Sequence, residues 1–253
     1  MSFSIVTCTD WNYRRWTTTL INSLHHQFSK RYVIAVGEGD WKSYGAQLGV
    51  TIIPQPFNHA MDPIRWCQNV RMRHLRALIE DCDYLLQVDS DVRQNKRLSL
   101  KHQFFSPKNK KNMYGHPVWV VYKHYGKKIP IGGLIGRQQV NNRFKINAGW
   151  VLYQNTSFTR NMLAEIQKEF DTNYNNEDGW DQIQLWNHLK KNAKDLVGKY
   201  IDDGAKGGYW RHAHWWHCKG PGKKETTDLE SWHDLKQVPK PQLSDINSIP
   251  YRY

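Results

Sequence analysis

At 253 residues, with a net charge of +13, 39% hydrophobic and 13% aromatic residues, the chain can bury a sizeable core and is not an intrinsically disordered polymer. No stretch approaches the roughly 18 apolar residues of a membrane-crossing helix, and "MSFSIVTCTD" lacks the basic start and apolar run of a secretory leader, so a cytoplasmic protein is expected. Cys8, Cys67, Cys82 and Cys218 lie far apart with no C-x-x-C pair, which reads as reduced thiols.

In chain order, "SFSIVTCT" (2–9) predicts a strand, and "YRRWTTTLINSLHHQF" (13–28) a helix after a turn. "RYVIAVGEG" (31–39) and "GVTIIPQPF" (49–57) predict two more strands. A long helix is expected over 62–82. There Ile64, Cys67, Val70, Leu75, Leu78, Ile79 and Cys82 recur at steps of three and four, Asp62 is placed to cap and Pro63 takes the first helical position. "YLLQVD" (84–89) is a continuous apolar strand suited to the middle of a parallel sheet. "INAGWVLYQ" (146–154) predicts a strand. "SFTRNMLAEIQKEF" (157–170) predicts a helix capped by Thr156 or Ser157, and "GWDQIQLWNHLKKN" (179–192) another. No repeat or Pro/Gly-rich linker divides the chain, so we expect one α/β domain over 1–253, with a mostly parallel twisted sheet flanked by helices. Residues 1–91 would form a nucleotide-binding half, 92–224 an acceptor and donor-sugar half, and 225–253 a polar tail wrapping the surface.

Two features ask for chemistry. The apolar strand at 84–88 runs directly into Asp89-Ser90-Asp91, and ligands of open α/β sheets bind at the carboxyl ends of strands. Two hard carboxylate donors there suit Mg²⁺ or Mn²⁺ held against a substrate phosphate. The second feature is charge. Between Asp91 and Glu165 there is no acidic residue and there are 14 Lys or Arg, including "KNKK" at 108–111, which implies a polyanionic partner. Gly-rich "GEG" and "GGLIG" match neither a phosphate-binding P-loop nor a dinucleotide fingerprint. His212, His214 and His217 have no thiolate spacing around them, so a structural zinc site is disfavoured.

"LLQVDSDV" (85–92) resembles the D-x-D strand end of GT-A fold glycosyltransferases, in which the pair holds a divalent cation against the diphosphate of a nucleotide sugar. "HCKGPGKK" (217–224) resembles the H-x-x-G-x-x-K segment of the glycogenin-like and bacterial galactosyltransferase-like retaining families, with Lys224-Glu225 standing where those families carry Pro-Trp. "INAGWVLYQN" followed by "GWDQIQLWNHL" is similar to their N-A-G strand and the acidic-Gln helix start. The resemblance spans roughly residues 3 to 224 and implies Asp89, Asp91 and His217 as metal ligands. It implies Thr7, Thr9, Asp10, Asn147, Gly220 and Lys223 as donor-nucleotide contacts, and Asp181 with Gln182 at the reacting sugar. Arg73 and Arg76, on the helix before the D-x-D strand, are candidates to reach phosphate or ribose; Lys219 and Lys223 can neutralise a leaving diphosphate. Retention is implied by the 217–223 segment, whereas inversion would need a base such as Asp181 or Asp178.

The expected reaction is metal-assisted transfer from a nucleotide sugar, with UDP implied by the resemblance, to an acceptor hydroxyl. The basic block favours hydroxymethylated cytosine in phage DNA as acceptor, with Trp119, Tyr122, Trp150, Trp180 or Trp215 available to stack an extruded base. A lipopolysaccharide or other glycan is the main rival. A nucleotidyltransferase would carry a Gly-rich first turn, which "TCTDWNYRR" lacks. A non-catalytic nucleic-acid-binding module would leave Asp89 and Asp91 without a task.

Overall fold

The structure, a computed structural model, describes residues 1–24, 27–94, 118–122, 146–192, 197–200 and 215–217. The elements run β1 (Phe3–Asp10), α1 (Arg14–Ser23), β2 (Phe28–Val36), α2 (Trp41–Leu48), β3 (Thr51–Gln55), α3 (Pro63–Asn69), a 3₁₀ turn (Val70–Arg73), α4 (Leu75–Leu78) and a second 3₁₀ turn (Ile79–Asp81). They continue with β4 (Tyr84–Val88), β5 (Val92–Gln94), β6 (Val118–Tyr122), β7 (Ile146–Gln154), α5 (Ser157–Asn173), α6 (Trp180–Asn192), β8 (Val197–Tyr200) and β9 (Trp215–His217). Strands of the main sheet are ordered β3-β2-β1-β4-β7-β6-β8, and β5 with β9 forms a separate ribbon. Strands β3, β2, β1 and β4 are parallel, as are β6 and β8; β7 opposes both its neighbours. The expected α/β architecture is therefore present, with β4 central and β7 reversing the sheet beside it.

Alternation along the strands feeds two cores. Phe3 and Ile5 of β1 and Tyr84, Leu86 and Val88 of β4 pack with Leu20, Ile21 and Trp150 on the α1 side. Val6, Cys8 and Leu85 face the other way, onto Val70, Leu75, Ile79, Leu163, Ile166 and Trp180. A strand buried on both faces is apolar along most of its length, and the one polar residue of β4, Gln87, is buried with partners: it donates to the Ala148 carbonyl and accepts from the Tyr153 hydroxyl.

The expected long helix over 62–82 is interrupted. Asp62 does cap it, accepting the Arg65 N–H at 2.9 Å, and Pro63 does lead it. It gives way after Asn69 to the 3₁₀ turn, although no proline or glycine breaks it. Asn69 and Arg71 are polar yet buried, so they need partners, and the tighter winding of a 3₁₀ turn resets which side chains face β4 and α6. Ile64, counted on the apolar stripe, is 69% exposed. The first helix stops at Ser23, and buried Phe28 opens β2 three residues before the expected start. Helix α2 was not expected, although Asp40 accepts the Ser43 N–H and Gly49, at φ 61°, closes it in the left-handed conformation that glycine adopts readily. The expected tail at 225–253 lies outside the described residues. Among the described residues no helix is long and apolar enough to cross a membrane.

Candidate active site

Parallel strands β1, β2, β3 and β4 present their carboxyl ends on one edge. At that edge the pleat of β4 puts Leu85, Gln87 and Asp89 on one face and Leu86 and Val88 on the other. Asp89 is 27% exposed, and its backbone N–H donates to the Gly149 carbonyl at 2.9 Å, so the N-A-G segment of β7 backs the carboxylate pair. The Val92 N–H donates to the Asp89 carbonyl at 3.0 Å, closing a turn that carries Asp91 and redirects the chain into β5. β5 pairs antiparallel with β9 in a register that sets Val92 opposite His217. His217, 125 positions on in sequence, is thus brought beside Val92, the residue that follows Asp91. Two carboxylates with an imidazole are a donor set that fits Mn²⁺ or Mg²⁺. Among the described side chains themselves, no cluster of three His, Cys, Asp or Glu is assembled.

The centre of the site is an arginine that the sequence reading did not single out. Arg71, 5% exposed in the 3₁₀ turn, donates from Nη1 to Asp89 Oδ1 at 2.5 Å. It donates from Nη2 and Nε to Asp181 Oδ2 at 2.6 and 3.2 Å. Burial works against the guanidinium charge, but Asp89 and Asp181 outweigh it and hold the Arg71 pKa above its ordinary value. Burial raises the Asp181 pKa, and Arg71 opposes that rise. Arg73 instead pairs with Asp171 at 2.9 Å on a half-exposed surface, and Arg76 pairs with Glu80. A signal for Arg71 existed: it falls four residues after Cys67 and four before Leu75, on the apolar stripe, where a charge must be paired.

Asp181 and Gln182 open α6. The Gln182 side-chain oxygen accepts the Ala148 N–H at 3.3 Å, tying the helix start to the N-A-G strand. The Asp181 N–H donates to Asn69 Oδ1 at 3.0 Å. Asn69 is fully buried and also donates to the Glu177 carbonyl at 3.1 Å and to the Tyr174 hydroxyl oxygen at 3.3 Å. Asp178 stands exposed just before the helix. Asn147 sits in β7 opposite Val121.

At the end of β1, Asp10 accepts the Tyr13 N–H at 2.7 Å and the Thr9 hydroxyl donates to the Asp10 carbonyl at 3.1 Å. Thr7 is buried, its hydroxyl without a partner among the described residues. Trp11 leans on Gly39, where an added Cβ would stand 2.3 Å from its ring, and Arg14 lies 4.2 Å over it. Cys8 and Cys67 are free thiols; burial raises both, Cys67 to about 12, so neither is a ready thiolate at neutral pH. Trp150 and Trp180, offered as base-stacking rings, are each 1% exposed and belong to the core, which removes them from that role. Gly220, Lys219, Lys223 and Cys218 lie outside the described residues, and of Trp119, Tyr122 and Trp215 only the backbone is placed.

No protein-family model and no curated protein sequence matches the chain. Solved structures do. The glycosyltransferase GlyE of Streptococcus pneumoniae TIGR4 matches with TM-score 0.56 at 14% identity, over 98% of this chain and 62% of GlyE. The galactosyltransferase LgtC, in complex with donor and acceptor sugar analogues, matches with TM-score 0.55 at 17% identity, over 93% of this chain and 97% of LgtC. A glycosyltransferase involved in glycosylation of the major capsid of PBCV-1 matches with TM-score 0.54 at 8% identity, over 93% and 100% of the two chains. The chain has the GT-A fold, and it spans less than two thirds of GlyE.

Proposed function

We propose that the protein is a glycosyltransferase that uses a nucleotide sugar, favoured as a UDP-sugar, and a divalent cation. The observation that supports this best is the Asp89–Arg71–Asp181 network at the carboxyl edge of a GT-A sheet, with His217 in register beside the D-x-D turn. Asp89, Asp91 and His217 would hold Mn²⁺ or Mg²⁺, and the ion would supply charge neutralisation for a departing diphosphate. The chain's own groups do the rest. Thr7, Thr9 and Asp10, at the end of β1, together with Asn147, Gly220 and Lys223 are proposed to bind the donor. Asp181, fixed by Arg71, and Gln182, fixed on Ala148, would orient the transferred sugar. In the step itself the bond from the sugar C1 to the diphosphate oxygen breaks, its electron pair leaving with the diphosphate. The acceptor oxygen bonds to C1 and its proton is released. Retention is the favoured outcome. Asp178, exposed before α6, is the base that inversion would recruit.

For the acceptor, the 14 Lys or Arg between Asp91 and Glu165 favour a polyanion, and hydroxymethylated cytosine in DNA is the reading we adopt. A glycan is the second reading, supported by LgtC, whose structure holds an acceptor sugar analogue. The test is UDP release with Mn²⁺ across a panel of UDP-sugars, with no acceptor, plain DNA or DNA carrying hydroxymethylcytosine. Stimulation by the modified DNA alone, lost in Asp91→Asn, is expected. Turnover that needs Asp91 but ignores both DNAs would move the acceptor to a glycan. Absence of both turnover and Mn²⁺-dependent UDP binding would overturn the enzyme reading.

A further inference from the structure

Resting on the glycosyltransferase reading above, we propose that Asn69 is a positioning residue, which sets the main chain of Asp181 and through it the spacing of the Asp181–Arg71–Asp89 network. Three residues of other elements fix the start of α6. Arg71 holds the Asp181 side chain, Ala148 holds the Gln182 side chain, and Asn69 holds the Asp181 main chain. Side-chain links leave torsions free to adjust; the Asn69 link is to the backbone itself. A helix start has N–H groups with no intrahelical carbonyl, and here one is answered from a different helix. The rest of the Asn69 amide donates to Glu177 and Tyr174, in the approach to α6, so one fully buried side chain holds the loop and the helix start together. Asn69 is two residues from Arg71, and the chain leaves the α-helix for the 3₁₀ turn between them. The interruption that no proline explains thereby delivers both residues to α6. Asn69 is bonded to the main chain of Asp181 and not to its carboxylate, so its effect on transfer would be indirect.

The experiment compares Asn69→Ala and Asn69→Ser with the unaltered full chain, using UDP, Mn²⁺ and the UDP-sugar that gives the fastest UDP release. Amide exchange is followed in peptides covering 177–183, with β1 peptides as internal reference. Exchange at 177–183 is expected to speed up about tenfold with β1 unchanged, following release of a local contact. The kcat for UDP release should fall about tenfold or more while KM for the donor and Mn²⁺-dependent UDP affinity stay within about threefold, the pattern of a misplaced group rather than a lost binding contact. A merely structural role would lower thermal stability without splitting kcat from KM. Unchanged exchange, or faster exchange with unchanged kcat, overturns the inference and leaves the glycosyltransferase reading standing. If Asn69→Ala is insoluble, Asn69→Ser is read alone; if neither folds, Asn69 is a core residue and the inference fails. A wild-type chain with no UDP binding and no UDP release sinks the parent reading, and the inference with it.

Discussion

Arg71 faces two carboxylates from inside the fold, and the sign of its contribution follows from what its loss leaves behind. Asp181 is buried, and without the guanidinium its charge has no compensating cation among the contacts described for it. Replacing such a pair wholesale can be neutral, but deleting one partner is costly because the other stays buried and charged. Arg71→Met is therefore expected to destabilise the protein by about 3–5 kcal/mol, measured by urea unfolding; Arg71→Met combined with Asp181→Asn should recover part of it. A single-mutant cost below about 1 kcal/mol would mean that the network is screened by water. At this scale the sequence was legible where chemistry and pattern coincide. Asp89 and Asp91 terminate an apolar strand, and Asp181 with Gln182 opens a helix. It was illegible where a residue's role depends on a partner 110 positions away, as for Arg71 with Asp181; Arg73, two residues on, pairs with Asp171 instead.

Caps and turns decide the elements that hold the site. Thr156 accepts the Thr159 N–H at 3.2 Å and starts α5, so Thr156→Ala should cost about 1 kcal/mol in chemical unfolding. Acid sensitivity belongs here too, in the link from the second 3₁₀ turn to β4. Hydrogen bonds from Lys30 and then Tyr32 lower the pKa of Asp81, and the Ser2 N–H lowers that of Asp83. A carboxylate whose folded pKa is depressed adds stability that is fully present above its unfolded value of about 4 and is lost as pH falls through the folded value. The combined Asp81→Asn and Asp83→Asn variant should flatten the fall of unfolding free energy below pH 4; an unaltered slope would place the acid-labile groups elsewhere. Element types followed from periodicity, and β7 matches its expected range of 146–154. What escaped was α2, eight residues long between a cap and a glycine, and the break at Asn69, which depends on buried polar groups rather than on any local breaker.

For the molecule as a whole, strand–helix alternation through residue 88 made the parallel half of the sheet legible, because each crossover is local and its handedness is fixed. Beyond β7 the far side was not legible. β6 and β8 are paired across a long interval, and β9 reaches β5 from 215–217, so no local pattern announces them. Charge is the whole-molecule property that bears on function. A net +13, with 14 basic residues in an interval free of acid, gives association with a polyanion a salt dependence that a neutral glycan acceptor would not share. Each phosphate neutralised contributes about −0.9 to the slope of log affinity against log salt for duplex DNA. If about six of these cations reach phosphates, affinity for a duplex should drop about a thousandfold between 50 and 200 mM salt, measured by fluorescence anisotropy. Stimulation of UDP release by hydroxymethylated DNA should disappear over the same range, while release without acceptor should change little, because the Asp89–Arg71–Asp181 ion pairs are partly buried and salt screens such pairs much less than exposed charges. A slope near zero would remove the argument for a nucleic-acid acceptor and leave the basic block as a solvated face; parallel loss of both activities would place the salt effect on the donor site instead.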